Sequence, residues 1–401
     1  MGNCTFSKQD EQESMCAITR NHFSMIYAIG KGGFGKVWKV EKKKTKELYA
    51  MKEMSKARII SKKSTRSVMN ERMILADIKY PLIVNMSYAF QDRENLYLVM
   101  DLLTGGDLRY HLCCHRKFSE EQTRFFIACI VSALEYIHQK GIIHRDIKPE
   151  NLVLDSDGYV RITDFGIARL LKPENYQDTS GTPGYMAPEV MCRQNHGIGV
   201  DYFAVGVIAY ECMFGRRPYI GRSRREIRDH ILNRQVAIKK GDVPRNWSLQ
   251  AADFINKMIL RKPSRRLGYN GPSEVKNHPW LVDFPWDDLF HGRVKPRYLP
   301  KQKEDNFDSK NINEEWKDQD SDKMKENTLL LRRNSVQNLF NGYYYDATIA
   351  AIAGSKLSSI NSENKTAKEV KPEDESKKKE KDKNVNTSEI TTKAIVSKPN
   401  V

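Results

Sequence analysis

The sequence predicts an α+β fold of two unequal lobes, a small sheet-rich one followed by a larger helical one. Three observations carry this expectation. Residues 23–51 alternate apolar and polar positions and are rich in Gly, Val and Tyr, the pattern of strands joined by a tight turn. Residues 120–139 keep a helical period throughout, and helical patterns then dominate to about Leu281. Strands first and helices after is the order of an α+β chain. At about 150 residues per domain, 401 residues suffice for two or three domains or lobes with buried cores.

Taken in order, residues 1–20 are polar, which predicts a flexible N-terminal segment. Strands are expected from Phe23 to Met51, and Lys56 to Ile78 has helical spacing. Asn95 to Leu102 predicts a strand with Leu96, Leu98 and Met100 on one face. Glu120 to Gln139 predicts a helix with Ser119 as N-cap and Glu121 or Gln122 behind it. Short strands are expected around Ile142, Leu152 and Val160. Beyond Pro285 the pattern turns irregular. From about residue 355 the chain is Lys, Glu, Ser, Asn and Thr with few apolar residues, which predicts disorder. No internal repeat is present.

Composition excludes several classes. A chain that is 39% hydrophobic and 29% charged is not a collagen, a mucin or a wholly disordered protein. The most apolar run, Tyr202 to Tyr210, is followed by Glu211 and falls well short of the roughly 20 residues of a spanning helix. Residues 1–20 hold no apolar segment of a secretory signal. The 7 Cys are scattered and lack CxxC or CxxH zinc spacings, as expected of reduced thiols in the cytoplasm. The net charge of +16 concentrates in residues 36–66 and in Arg216 to Arg234 rather than in the final 41 residues. A solvated surface explains this; an anionic membrane or anionic partners would suit it too. Nucleic acid is not expected, since no aromatic-interleaved RNA motif or zinc finger accompanies the basic runs.

The chemistry lies in a set of spaced motifs. Gly30-Lys31-Gly32-Gly33-Phe34-Gly35-Lys36-Val37 fits G-x-G-x-x-G-x-V, in which glycines let backbone N–H groups approach phosphates. Alone it could be an ordinary hairpin turn. No Gly-Lys-Ser/Thr follows, and the next segment is extended rather than helical, which argues against a Walker loop or a dinucleotide fingerprint. Next comes Tyr49-Ala50-Met51-Lys52, with Glu71 on the helical segment 19 residues later. A lysine gripping phosphates needs such an anion to hold it. His144-Arg145-Asp146-Ile147-Lys148-Pro149-Glu150-Asn151 sets one carboxylate beside a lysine and an amide. Asp164-Phe165-Gly166 follows, and Ala187-Pro188-Glu189 closes the segment.

These five elements, in this order, resemble a eukaryotic protein kinase from about Phe23 to Leu281. The resemblance implies a bilobal fold, a small β-rich lobe with the Glu71 helix and a larger, mainly helical lobe, meeting at a hinge near residue 103. It implies ATP and Mg²⁺ as cofactors and protein hydroxyls as acceptors. Gly30, Gly32, Gly33, Phe34 and Gly35 would cover the phosphates, with Ile29, Val37 and Ala50 around the nucleotide. Lys52 would hold the phosphates, paired to Glu71. Met100, Asp101 and Leu103 would meet the adenine, and Glu150 would also belong to the nucleotide site. Asp146 would orient the hydroxyl and accept its proton, and Lys148 would neutralise charge. Asn151 and Asp164 would ligate the metal. Glu189 is expected to pair with Arg266, and Thr182 to bond Asp146 and Lys148.

Lys148, close behind Asp146, marks the serine/threonine class by the same resemblance. Gly181-Thr182-Pro183, Asn70-Glu71-Arg72 and the segment Leu103 to Leu108 resemble the AGC group. Asp101 to Leu112 and Gly215-Arg216-Arg217-Pro218-Tyr219 are most similar to its YANK subfamily. The tail, residues 282–346, is similar to the AGC extension. Tyr298-Leu299-Pro300 and Asn306-Phe307-Asp308 would bring Phe307 near the adenine. Phe340 and Tyr343 would dock beside the Glu71 helix, with Tyr344 where a phosphorylatable Ser or Thr is usual. Residues 347–401 are left as a charged tail.

Three further expectations concern regulation and partners. Asp178 stands where AGC kinases carry a phosphorylated Thr, so it would order the activation loop through Arg145 and Arg169, with Thr179 as a rival phosphosite. Glu150 and Glu211 match positions that receive arginines upstream of the target hydroxyl, with Asp107 as a third carboxylate, which predicts substrates with upstream Arg. Leu331-Arg332-Arg333-Asn334-Ser335 fits that form and makes Ser335 an autophosphorylation candidate. Gly2 and Cys4 resemble an acylation signal that would attach a monomeric, otherwise cytoplasmic protein peripherally to the plasma membrane or another membrane. The rival reading is a catalytically silent, membrane-tethered scaffold of the same fold, which the intact Lys52, Asp146 and Asp164 disfavour.

Overall fold

A computed structural model describes residues 17–301 and 321–352; Gly2, Cys4, Phe307 and residues 353–401 lie outside them. The chain divides into two units, Met1–Ala350 and Ala351–Val401, and only Ala351 and Ile352 of the second are described. The small lobe is built on β1 (Phe23–Lys31), β2 (Gly35–Lys42), β3 (Leu48–Ser55), β4 (Met86–Gln91) and β5 (Asn95–Asp101). They form an antiparallel sheet in the order β1-β2-β3-β5-β4. β4 is not legible by alternation, because Tyr88, Ala89 and Phe90 are buried in succession. One face of the sheet closes over Phe23, Val40, Met51, Tyr88 and Phe90. The other joins a core that runs from Met54 and Ile74 to Leu134, Val205 and Phe254 in the large lobe.

Close backbone approach governs the turn between β1 and β2. A side chain at Gly35 would run into the Glu53 carbonyl of β3, whereas Gly30, Gly32 and Gly33 have room. Gly35 is therefore required by packing, and the other three leave open space beside the cleft. The segment 56–78 is two helices, α1 (Lys56–Ser61) and α2 (Thr65–Asp77), rather than one. Lys63 breaks it by adopting the left-handed region at φ 51°, which a helix cannot continue through.

In the large lobe Asp107 caps α3 (Leu108–His115), its carboxylate accepting the Tyr110 N–H at 2.7 Å. Asp107 thus serves a helix end through Oδ1 and also lines the cavity between the lobes. Ser119 caps α4 (Glu120–Gln139), and Gln122, not Glu121, returns the bond at 3.0 Å. Two small ribbons pair β6 (Ile142–Ile143) with β9 (Arg169–Leu170) and β7 (Leu152–Leu154) with β8 (Val160–Ile162), framing the loops that bear Asp146 and Asp164. Then follow α5 (Pro188–Met191), α6 (Gly199–Phe214), α7 (Arg224–Asn233), α8 (Leu249–Met258) and α9 (Pro272–Lys276). α6 is buried along nearly its whole length and packs on α8; a Cβ at Gly206 would collide with Met258. Among the described residues no helix is long and apolar enough to cross a membrane.

Beyond Pro285 the chain is more regular than its sequence suggests: α10 (Trp286–Phe290), α11 (Ser321–Leu330) and α12 (Asn334–Gln337) precede a short strand, β10 (Tyr345–Asp346). β10 pairs antiparallel with β4 and becomes the sixth strand of the sheet. Between them Phe340 and Tyr343 are fully buried. The Phe340 carbonyl accepts Gln91 Nε2 at 3.0 Å, and the Tyr343 carbonyl accepts Arg72 Nε at 3.0 Å. Tyr344 stays partly exposed, its hydroxyl accepting the Ile18 N–H. Lys56 is buried under this segment, donating to the Asp92 carbonyl at 2.6 Å and to Gln337 Oε1 at 2.7 Å, with its ammonium 5.0 Å from the Phe340 ring.

Two outcomes follow from this anchorage. Phe340→Ala should weaken tail attachment by about 3–5 kcal/mol, the usual loss for a buried Phe, and limited proteolysis should then cut residues 331–346 ahead of the lobes; equal protease resistance would contradict the anchoring role. Burial pushes the Lys56 ammonium down to about 8, with Asp92 opposing. A folded value below the free-chain value of about 10.4 means that the folded state resists protonation: the destabilisation is complete below about pH 8 and is relieved as pH rises toward 10.4. Thermal melts should show the wild type gaining on Lys56→Met between pH 8 and 10.

Candidate active site

The cleft between the lobes is organised by one ion pair. Lys52, on β3, donates to Glu71 on α2 at 2.7 Å, and Glu71 is buried. Lys52 Nζ is also 3.6 Å from Asp164 Oδ1. Burial would lower the lysine, but Glu71 and Asp164 hold it above its ordinary value and therefore charged. Asp164 is held below the usual carboxylate range chiefly by Lys52, with burial opposing. The neighbours of Glu71 grip other parts: Asn70 donates to the Ala168 carbonyl at 2.9 Å, and Arg72 holds the tail at Tyr343 and Tyr344.

The loop from His144 to Asn151 is fixed from below by Asp201 at the start of α6. Its buried carboxylate accepts His138 Nε2 at 2.8 Å, the His144 N–H at 2.9 Å and the Arg145 N–H at 2.7 Å. Burial would raise Asp201, but these hydrogen bonds keep it low. They also hold Arg145 in the left-handed region at φ 68°, which Asp164 shares at φ 64°. Such residues cost about 1–3 kcal/mol each and persist only where surrounding contacts impose them.

Asp146 is gripped through both oxygens. Thr182 Oγ1 donates to Oδ1 at 2.6 Å; Lys148 Nζ and Asn151 Nδ2 donate to Oδ2 at 2.6 and 3.1 Å. Lys148 also reaches Thr182 at 2.9 Å. Arg145 binds the Ile167 carbonyl and lies 3.3 Å from Asp178. Arg169, the other expected partner of Asp178, instead donates to Ser67 Oγ and the Ala168 carbonyl. Thr179 is exposed, as is Ser335 on α12. Glu189 and Arg266 form a buried two-pronged pair at 2.6 and 2.9 Å.

A cavity of about 270 Å³ opens above these groups. Its apolar walls come from Ile29, Val37, Ala50, Met100 and Leu103; its inner end carries Lys52, Glu71, Asn151 and Asp164. Gly30, Gly32, Asp101 and Glu150 also line it, while Gly33, Phe34 and Gly35 do not. Phe34 instead sits beneath the Lys62 ammonium, 5.5 Å away. Leu75, Val84, Val153 and Thr163 also line it; Val153 is two residues from Asn151 on a strand, Thr163 adjoins Asp164 and Leu75 lies one helical turn after Glu71, so all three were detectable from their neighbours, whereas Val84 lies between elements and carries no such signal. A wider cleft of about 760 Å³ is lined by Arg66, Arg72, Arg169 and Lys172 with Glu174 and Asp178, and Lys52, Asn151 and Asp164 are not among its walls.

The cleft mouth differs from expectation. Glu150 and Glu211 already share an internal cation: Arg109, on the first turn of α3, bonds Glu150 Oε1 at 2.9 Å and Glu211 Oε1 at 2.8 Å and also contacts the Tyr185 hydroxyl. Arg109 lies within the segment Asp101 to Leu112, where no local pattern marks this role.

An apolar slot between a twisted sheet and a helical lobe, ending in a paired lysine, an amide and two carboxylates, is the site of a phosphoryl-transfer enzyme. Comparison with known proteins agrees. The family described as "Protein kinase domain" matches residues 23–281. The chain is 36% identical over 346 residues to a probable serine/threonine-protein kinase of Dictyostelium discoideum, covering 85% of this chain and 74% of that protein. It is 37% identical to the serine/threonine-protein kinase sgk-1 of Caenorhabditis elegans, over 74% of this chain and 64% of the relative. It is 38% identical to the cAMP-dependent protein kinase, catalytic subunit-like, of the same nematode, over 70 and 71%. The chain thus spans somewhat less than two thirds of the sgk-1 kinase and more of the other two. The chain belongs to the protein kinase domain family and is a protein serine/threonine kinase, with relatives of the AGC type.

Removing one partner of the Glu189–Arg266 pair should be severe. Arg266→Leu leaves a buried unpaired carboxylate, and denaturant unfolding should show a loss of about 3–5 kcal/mol; a loss under about 1 kcal/mol, as at an exposed pair, would contradict the buried geometry.

Proposed function

We propose that this kinase uses ATP and Mg²⁺ to phosphorylate Ser and Thr hydroxyls, with the groups around Asp146 as its chemical centre. The observation that carries the reading is the convergence of Lys52, Asn151 and Asp164 at the polar end of an apolar slot. Lys52, kept charged by Glu71, grips the phosphates. Asp146 aligns the acceptor hydroxyl and takes its proton, while Lys148 stabilises developing negative charge. Asn151 commits its amide nitrogen to Asp146, so Oδ1 is what it offers a cation. Asn151 and Asp164 would hold the cation, which when bound neutralises phosphate charge. Two donors suit a magnesium ion that keeps water and phosphate oxygens as its other ligands.

Asp178 beside Arg145 supports a loop ordered without added phosphate, and the similarity of Asp101 to Leu112 to the YANK subfamily is the finer family assignment we favour. Acylation at Gly2 and Cys4 would bring the kinase to a membrane, with Gly2→Ala as the control. Glu150 and Glu211 would favour upstream arginines only to the extent that Arg109 releases them.

The decisive assay is transfer from Mg-ATP to Ser and Thr peptides. Asp164→Ala and Asp146→Asn should each lower the rate by about 10²–10⁴-fold; a wild type no better than Asp164→Ala would favour the silent scaffold. In protein made without other kinases, Asp178→Ala should reduce the rate and Thr179→Ala should not. Mapping phosphosites on the same samples tests Ser335.

A further inference from the structure

Among the described residues, Arg109 is the one side chain that engages both Glu150 and Glu211 at the cleft mouth. It is placed there by the fold. Asp107 caps α3, which sets Arg109 on the first turn, directed across the groove. Its Nε meets Glu150 from the turn Pro149–Asn151 just after Lys148; Nη1 and Nη2 meet the two Glu211 oxygens at 2.8 and 3.3 Å. Tyr185, three residues past Thr182, donates its hydroxyl to Glu211 Oε2 at 2.6 Å and completes the cluster. Glu211 is nearly buried, while Glu150 is 43% exposed and faces the groove. Burial would lower the Arg109 guanidinium, but Glu211, Tyr185 and Glu150 together raise it.

A carboxylate pair beside the phosphoryl-acceptor position is chemically a receptor for a guanidinium from a substrate. Here that receptor is filled by the chain's own guanidinium. An incoming arginine would have to exchange with Arg109 on a largely desolvated Glu211, leaving Arg109 to find new partners. Exchange of like for like gives little net gain, whereas a neutral substrate side chain leaves the cluster intact.

We propose that Arg109 is a specificity-determining residue, an internal arginine that occupies the acidic subsite and removes the requirement for arginines upstream of the target Ser or Thr. The proposal rests on the kinase reading above and reverses the upstream-arginine preference expected from Glu150 and Glu211 alone. The substrate class becomes Ser/Thr segments with uncharged residues at the upstream positions.

The test uses the full chain and peptide pairs that differ only in Arg or Ala two and three residues before the acceptor. In the wild type, kcat/KM should differ by no more than about threefold within a pair, since the charged hydrogen bonds that Arg would make are already made. Arg109→Met, which keeps the aliphatic stem, should raise the Arg/Ala ratio by about tenfold or more, chiefly through KM. Adding Glu150→Gln should bring the ratio back down. Fluorescence anisotropy with unreactive analogues, Ala replacing the acceptor, reads the same ratio as Kd without turnover, so loss of catalysis and failure of the proposal remain distinguishable. A wild type that already prefers Arg by tenfold, or a ratio unchanged in both Arg109→Met and Arg109→Ala, would overturn it.

Discussion

The buried contact between Lys52 and Glu71 is the constraint on which the rest of the cleft depends. A lysine and a carboxylate brought out of water are tolerated only with close geometry and further polar support. Asp164 supplies the latter from the segment after β8, so three separate stretches of chain must converge before either charge is satisfied. α2 is therefore a junction. Three successive residues reach different elements: Asn70 the backbone after Asp164, Glu71 the sheet, Arg72 the C-terminal segment. Because Phe340 and Tyr343 pack on this same region, the position of Glu71 and the attachment of the tail are parts of one arrangement.

The large lobe solves a different problem, that of holding Asp146 still. Asp201 is sequestered and fully bonded, and it locks the backbone of His144 and Arg145 into a conformation that would not persist alone. Thr182, Lys148 and Asn151 then leave Asp146 little rotational freedom. Charge development at the acceptor oxygen therefore meets groups that need not reorganise, the condition under which fixed dipoles and ions contribute most.

Much of this was legible because phosphoryl transfer demands particular residue types in a set order. Lys52, Glu71, Asp146, Lys148, Asn151 and Asp164 announce themselves by chemistry and spacing, and the structure gathers them. Geometry that depends on distant partners was not readable. Arg109 meets carboxylates 41 and 102 residues away, and nothing in its own neighbourhood distinguishes it from a solvated helical arginine. β4 hid because both faces are covered, erasing the alternation that marks strands. The break at Lys63 hid because helical periodicity persists on both sides of a single left-handed residue. Phe34 and Gly35 were grouped with the phosphate-covering residues, whereas one packs under Lys62 and the other is dictated by β3.

The two-residue strand at Tyr345–Asp346 has an implication for colloidal behaviour. An open strand flank offers unpaired N–H and C=O groups to any other chain in an extended conformation. β4, with its consecutive buried residues and no charge between Met86 and Gln91, would be an unusually sticky flank. By lying along it, the C-terminal segment acts as a built-in guard against intermolecular sheet growth, so a chain shortened before Tyr345 would be disposed to associate with copies of itself even with every reactive group in place.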